Sequence, residues 1–188
     1  MRTYMIRHGK PSATWGDDDD DPGLDATGQA QAEAIAQVLI KLPEHARPTS
    51  VVSSPLRRCR ETAEPFAKLL GVDLIIDPRV GEIPTPKAVS QADRGAWLRE
   101  AFAGKWSDIR GDLDYDAWRH AVAAALAGYP GAAVFSHFVA INGAVTVAGG
   151  GDLVMGFRPD HVSMQVFEVA DGRLILIAKG REASTQVL

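Results

Sequence analysis

The chain has 188 residues, 46% of them hydrophobic and 23% charged, with a formal net charge of −4. That length suits one domain with a sizeable core, and the charge leaves no basic field to recruit nucleic acid or anionic lipid. No apolar stretch approaches membrane-spanning length and no basic region followed by an apolar core opens the chain, so a cytoplasmic protein is expected; the single cysteine, Cys59, rules out an intramolecular disulfide.

The β-branched and aromatic run at 3–6 predicts a first strand, which breaks at Arg7-His8-Gly9-Lys10. Residues 17–21 are consecutive aspartates before Pro22-Gly23. They read as a solvated acidic loop, because adjacent carboxylates on a loop lack the fixed geometry a cation needs. A helix is predicted over 24–42, capped by Thr27, with Ala30, Ala34, Ile35, Val38, Leu39 and Leu42 as its apolar stripe. Val51-Val52 marks a second strand, followed by a helix over 57–70 that Gly71 closes and Pro65 should kink. A third buried strand is predicted at 73–76, leading to Gly81-Glu82-Ile83-Pro84. Helices over 93–103 and 114–127 each carry a tryptophan, Trp97 and Trp118. A fourth strand at 132–135 runs into Ser136-His137 and a small-residue helix over 138–149. Alternating segments at 162–169 and 173–179 flank Asp171-Gly172, a hairpin signal. Strands alternating with helices, then a hairpin, predict an α/β fold: a three-layer α/β/α sandwich with a mostly parallel mixed sheet.

Four polar clusters each follow a predicted strand, so a parallel sheet would gather them at one edge, where open α/β sheets bind ligands. That edge would hold Arg7, His8, Arg58, Glu82 and His137. An imidazole can act as nucleophile or proton shuttle, and a guanidinium presents a planar fork to phosphate. The set is an inventory for phosphoryl transfer. The chain lacks a Walker A loop, a Gly-x-Gly-x-x-Gly fingerprint, a cysteine pair for zinc and a Gly-x-Ser-x-Gly elbow. No metal and no cofactor is expected.

Arg7-His8-Gly9, the Ser-Pro-Leu-x-Arg-x-x-x-Thr-Ala pattern at 54–63 and the late Ser136-His137 resemble the histidine phosphatase superfamily, in its compact, phosphoglycerate-mutase-like branch. The motifs stand in family order from residue 4 to about 142. The resemblance implies one domain over 1–188, with 84–116 as a cap-like insertion that chooses the substrate. It also implies a metal-independent phosphatase in which His8 becomes a phosphohistidine, its second ring nitrogen held by a backbone carbonyl such as that of Gly9. Arg7, Arg58 and His137 would bind the phosphoryl oxygens, and Glu82 stands where the family places its proton donor. Lys10 replaces the usual Glu or Gln. Thr14 stands where longer members carry an Asn that touches phosphate, so Thr14 or Ser12 would supply a hydroxyl instead. Cys59 reads as a packed thiol, Arg57 and Arg60 as a solvated helix face, and His45, His120 and His161 as structural or surface residues. A phosphorylated small molecule is the expected partner, and a homodimer is compatible with the sequence. The alternatives are a phosphoglycerate mutase, a protein-phosphohistidine phosphatase and a non-catalytic anion-binding member of the fold.

Overall fold

Hydrophobic alternation along the strands builds the layers. In a computed structural model, which describes residues 1–13 and 21–184, strand β1 spans Arg2–Arg7, β2 Ser50–Ser53, β3 Leu74–Ile76, β4 Ala132–Ser136, β5 Met164–Ala170 and β6 Arg173–Ala178. Helices α1 (Ala26–Ile40), α2 (Arg57–Leu70), α3 (Arg94–Ala103), α4 (Tyr115–Ala127) and α5 (Phe138–Gly149) connect them. Among the described residues the strands form one sheet in the order β3-β2-β4-β1-β5-β6. Pairs β2–β3, β2–β4 and β1–β4 are parallel, while β5 runs antiparallel to both β1 and β6.

Successive strand residues point to opposite faces. Tyr4, Ile6, Val51, Ala133 and Phe135 pack with Ile35, Leu39, Cys59 and Phe66 of α1 and α2. Met5, Val52, Val134 and Phe167 pack on the other face with Val122, Leu126, Ile141 and Ala144 of α4 and α5. This is the expected three-layer sandwich with a mixed sheet. A third apolar cluster lies outside both layers and joins Ile83, Leu98, Phe102, Trp106, Tyr115, Phe138, Val139 and Val154.

Local details differ from the sequence expectations. The cap of α1 is Asp25, whose carboxylate accepts from Gly28 N at 2.7 Å, so Thr27 lies within the helix. Its buried stripe is Gly28, Ala32, Ile35, Ala36 and Leu39; Ala30, Ala34 and Val38 face solvent, because interspersed alanines fit either phase of the helix. Helix α2 continues unbroken past Pro65, which sits in its interior. Strand β3 is an edge strand with Ile75 and Ile76 exposed, and its apolar run marks β propensity rather than burial on both faces. The hairpin turn forms as expected, with φ 51° at Asp171 and φ 71° at Gly172.

Candidate active site

Sheet register brings the polar clusters together. Arg7 pairs with Ser136 across the parallel β1–β4 ladder. The following residues, His8 and His137, therefore emerge side by side, with ring centroids 5.3 Å apart. Ser53 of β2 lies opposite Phe135, which carries Ser54 and the first turn of α2, with Arg58 and Cys59, to the same edge. After β3, a short 3-10 turn at Pro78–Val80 delivers Glu82. Arg7, His8, Arg58, Glu82 and His137 thus meet at the carboxyl ends of the parallel strands.

His8 is 5% exposed, and its Nδ1 lies 2.7 Å from the Gly9 carbonyl oxygen. A carbonyl only accepts, so Nδ1 carries the proton and Nε2 keeps its lone pair. This is the carbonyl contact the family resemblance implied. A side chain at Gly9 would meet the Gly28 carbonyl oxygen at 2.8 Å, so glycine lets this loop lie against the start of α1. Gly9 N donates to Thr62 Oγ1 at 2.9 Å, and that hydroxyl donates to the Arg58 carbonyl at 2.6 Å, joining the His8 loop to α2. Burial drives the His8 pKa well below its ordinary value, helped by His137, Arg7 and Arg58. His8 is neutral at physiological pH.

Arg7 is buried, donates through Nη1 to the Pro159 carbonyl at 2.9 Å, and lies over the Phe138 ring at 5.3 Å. Among the described residues no partner reaches its buried Nε. Burial lowers its pKa to about 10, against the pull of Glu82 and Asp160, so it stays cationic at neutral pH. Arg58 Nη2 lies 3.3 Å from His137 Nδ1, and Nη1 lies 3.9 Å from Asp21 Oδ1. Asp21 also accepts from Arg57 N at 2.8 Å. The last aspartate of the acidic run therefore touches the start of α2 rather than solvent alone, and residues 17–20 lie outside the described residues. Arg57 is exposed, and its Nε lies 2.6 Å from Glu61 Oε1.

Glu82 has a side chain only 6% exposed, with Oε2 3.9 Å from His137 Nδ1 and an oxygen accepting from Ile83 N at 2.9 Å. Burial raises its pKa, opposed by the Ile83 N–H and by Arg58, Arg94 and Arg7. His137 is fully buried and held neutral by burial, with Arg58, Arg7 and Arg94 adding to the effect. Cys59 is fully buried against the His137 ring, its Sγ 3.3 Å from Nε2, and burial pushes the thiol pKa up. It packs as a protonated thiol, as expected. Lys10 pairs with Asp25 at 2.9 Å. Ser12 is exposed, its N–H donates to the Gly23 carbonyl, and among the described residues no hydrogen bond joins it to the buried cluster. Thr14 lies outside the described residues.

His161, expected from the sequence to be a structural or surface residue, stands against His8, with ring centroids 5.8 Å apart and its Nδ1 3.2 Å from the His8 carbonyl oxygen. Burial lowers its pKa to about 4, with Arg7 reinforcing the shift. The antiparallel strand that starts at Met164 opposite Ile6 begins where β1 ends, so the residues just before it reach the site. The predicted hairpin contained that signal. Arg94 of α3 also reaches this edge; its Nη2 lies 3.4 Å from the Ile83 carbonyl oxygen, beside Glu82.

Two arginines beside two neutral imidazoles and a carboxyl whose pKa burial raises are a set that can hold an anion, with a lone pair at Nε2 of His8 that can act as a nucleophile. The chain belongs to the histidine phosphatase superfamily, branch 1, whose family model matches residues 3–179. A "Probable phosphoglycerate mutase" of Photorhabdus laumondii is 32% identical over 88 residues, which is 44% of this chain and 38% of that protein. The match therefore spans well under half of that curated relative. The fold resembles phosphoserine phosphatase from Entamoeba histolytica, solved with 3-phosphoglyceric acid, at TM-score 0.75 and 17% identity, covering 96% of both chains. It also resembles the mycobacterial glucosyl-3-phosphoglycerate phosphatase at TM-score 0.72 and 21% identity, covering 97% of this chain and 99% of the other.

Proposed function

We propose that the protein is a metal-independent phosphatase that hydrolyses a small phosphomonoester through a phosphohistidine on His8. The observation that supports this most is the Nδ1 contact of His8 with the Gly9 carbonyl, which leaves Nε2 as a lone pair among Arg7, Arg58 and His137. Nε2 attacks phosphorus and forms the N–P bond as the P–O bond to the leaving group breaks. Glu82, whose protonated form burial favours, gives its proton to the departing oxygen, which leaves as an alcohol. Water then attacks the phosphohistidine, the N–P electron pair returns to Nε2, and the Glu82 carboxylate takes the proton. Arg7 and Arg58 neutralise the phosphoryl oxygens throughout, so the positive charge a metal would bring is already in the chain. An anion at Arg7 would also occupy a buried donor whose unsatisfied state costs about 1–3 kcal/mol. Segment 84–116 caps the site in this reading, because Leu98, Phe102 and Trp106 pack on Ile83 and Phe138 beside Glu82 and His137.

A phosphoglycerate mutase is the second reading, favoured by the Photorhabdus relative. Hydrolysis of a chromogenic phosphomonoester in excess chelator, lost in His8→Ala, is the expected result. Full activity in His8→Ala, or activity that chelator abolishes, would overturn the phosphatase reading. Net transfer between phosphoglycerate isomers faster than phosphate release would favour the mutase.

A further inference from the structure

Ser136, the residue before His137, is fully buried and bonds in two directions. Its carbonyl oxygen accepts from His8 N at 3.0 Å, and its hydroxyl donates to the Val80 carbonyl oxygen at 2.7 Å. The first bond follows from the β1–β4 register, in which Arg7 lies opposite Ser136, so the chain leaving β1 towards His8 is tied to the backbone of this residue. The second reaches the end of the 3-10 turn, two residues before Glu82. One residue thus stands between the backbone of His8 and the backbone that leads to Glu82.

Val80 and Ile83 bury their side chains in different apolar clusters. That packing sets the depth of the segment but does not orient its peptide units, because apolar attraction is non-directional. A peptide unit is planar, so holding its two polar ends orients it. In the Val80–Gly81 unit, the N–H of Gly81 donates to the Pro78 carbonyl at 3.0 Å and the Val80 carbonyl takes the Ser136 hydroxyl. Among the described residues, that hydroxyl is the one hydrogen-bond donor from outside 77–83 that reaches residues 80–82. Glu82 follows directly, its Oε2 3.9 Å from His137 Nδ1. We propose that Ser136 is a positioning residue that aims the Glu82 carboxyl, holding the acid in place against His8 through one buried hydroxyl. This rests on the phosphatase reading with Glu82 as the acid, and adds the residue that sets the acid's position. Removing the hydroxyl frees the carbonyl end of the Val80–Gly81 unit, whereas the bond to His8 N is made by the Ser136 backbone and stays. The nucleophile then keeps its place while the acid loses its own.

The test is steady-state kinetics on an alkyl phosphate and on p-nitrophenyl phosphate, for wild type, Ser136→Ala, Glu82→Gln and the double variant. The ratio kcat/KM reports the steps up to the phosphohistidine, where the leaving oxygen needs its proton. Misplacing a catalytic group by about 1 Å can cost about 10²-fold. Ser136→Ala should therefore lose about 10–10²-fold in kcat/KM on the alkyl phosphate and less than about threefold on p-nitrophenyl phosphate, whose leaving group needs no proton. In the Glu82→Gln background the same substitution should cost less than about threefold on either substrate, because the acid it aims is gone. Ser136→Cys, close in volume but a weak donor, should fall between wild type and Ser136→Ala on the alkyl phosphate. If Ser136→Ala does not fold, Ser136→Cys carries the test, and wild-type kinetics there would overturn the proposal. Equal losses on the two substrates in Ser136→Ala, or its full loss repeated in the double variant, would overturn the proposal alone. Equal losses on both substrates in Glu82→Gln would overturn it together with the acid role of Glu82, and undiminished turnover in His8→Ala would overturn the phosphatase reading itself.

Discussion

Replacing Glu82 by Gln separates the proton from the shape of the side chain. The amide oxygen can still accept from Ile83 N, now 2.9 Å from the carboxyl oxygen, and the volume of this buried side chain is preserved. What is lost is the ability to release a proton, whose retention on the acid burial favours by raising its pKa. An alkyl alcohol leaves phosphorus badly as an alkoxide, whereas p-nitrophenolate is a stable anion. General acid catalysis contributes about 10²–10⁴-fold, so Glu82→Gln should lose about that much in kcat on an alkyl phosphate and less than about tenfold on p-nitrophenyl phosphate. Steady-state kinetics on the two substrates, with a thermal melt to confirm an intact fold, measure this ratio. Equal losses on both would refute the argument and leave Glu82 a structural or water-activating role.

Arg58→Ala removes a charge-assisted contact worth about 1.5–3 kcal/mol, which at ~1.4 kcal/mol per decade is a loss of at least about tenfold in kcat/KM. Unchanged kinetics would remove Arg58 from the site. His161 has a folded pKa of about 4, below the ordinary histidine value of 6.5. The unfolded chain therefore binds more protons in that window, and the His161 contribution to stability, present above about pH 6.5, is lost as pH falls towards 4. His161→Asn should accordingly lose less stability than wild type between those pH values in urea titrations, and a parallel pH dependence would show that His161 titrates normally. Phe66, fully buried between α2 and the sheet, should cost about 3–5 kcal/mol when cut to Ala. A urea midpoint close to wild type would contradict the packing described.

Periodicity and position made much of this legible in the sequence. The strand-end clusters were readable because each polar motif directly follows a β-branched run, and parallel pairing then leaves one place for Arg7, His8, Arg58, Glu82 and His137 to meet. The phase of α1 was not readable, since an alanine-rich helix presents similar stripes on neighbouring faces, and Asp25 outcompeted Thr27 for the cap. The edge position of β3 was hidden because Leu74, Ile75 and Ile76 have the same composition as a central strand. The place of His161 beside His8 depends on a contact between segments distant in sequence, set by the antiparallel return of β5 along β1, and it needed the predicted hairpin to be paired with the first strand before it could be read.

The most direct test of the phosphohistidine on His8 is to mix the protein with a ³²P-labelled phosphomonoester, quench in the steady state, and map the labelled peptide. An acid-labile, base-stable label is expected on the peptide containing His8, bonded through Nε2 and absent from His8→Ala. A label on Cys59, a serine or His137, or turnover of the substrate with no trapped label on His8, would contradict it.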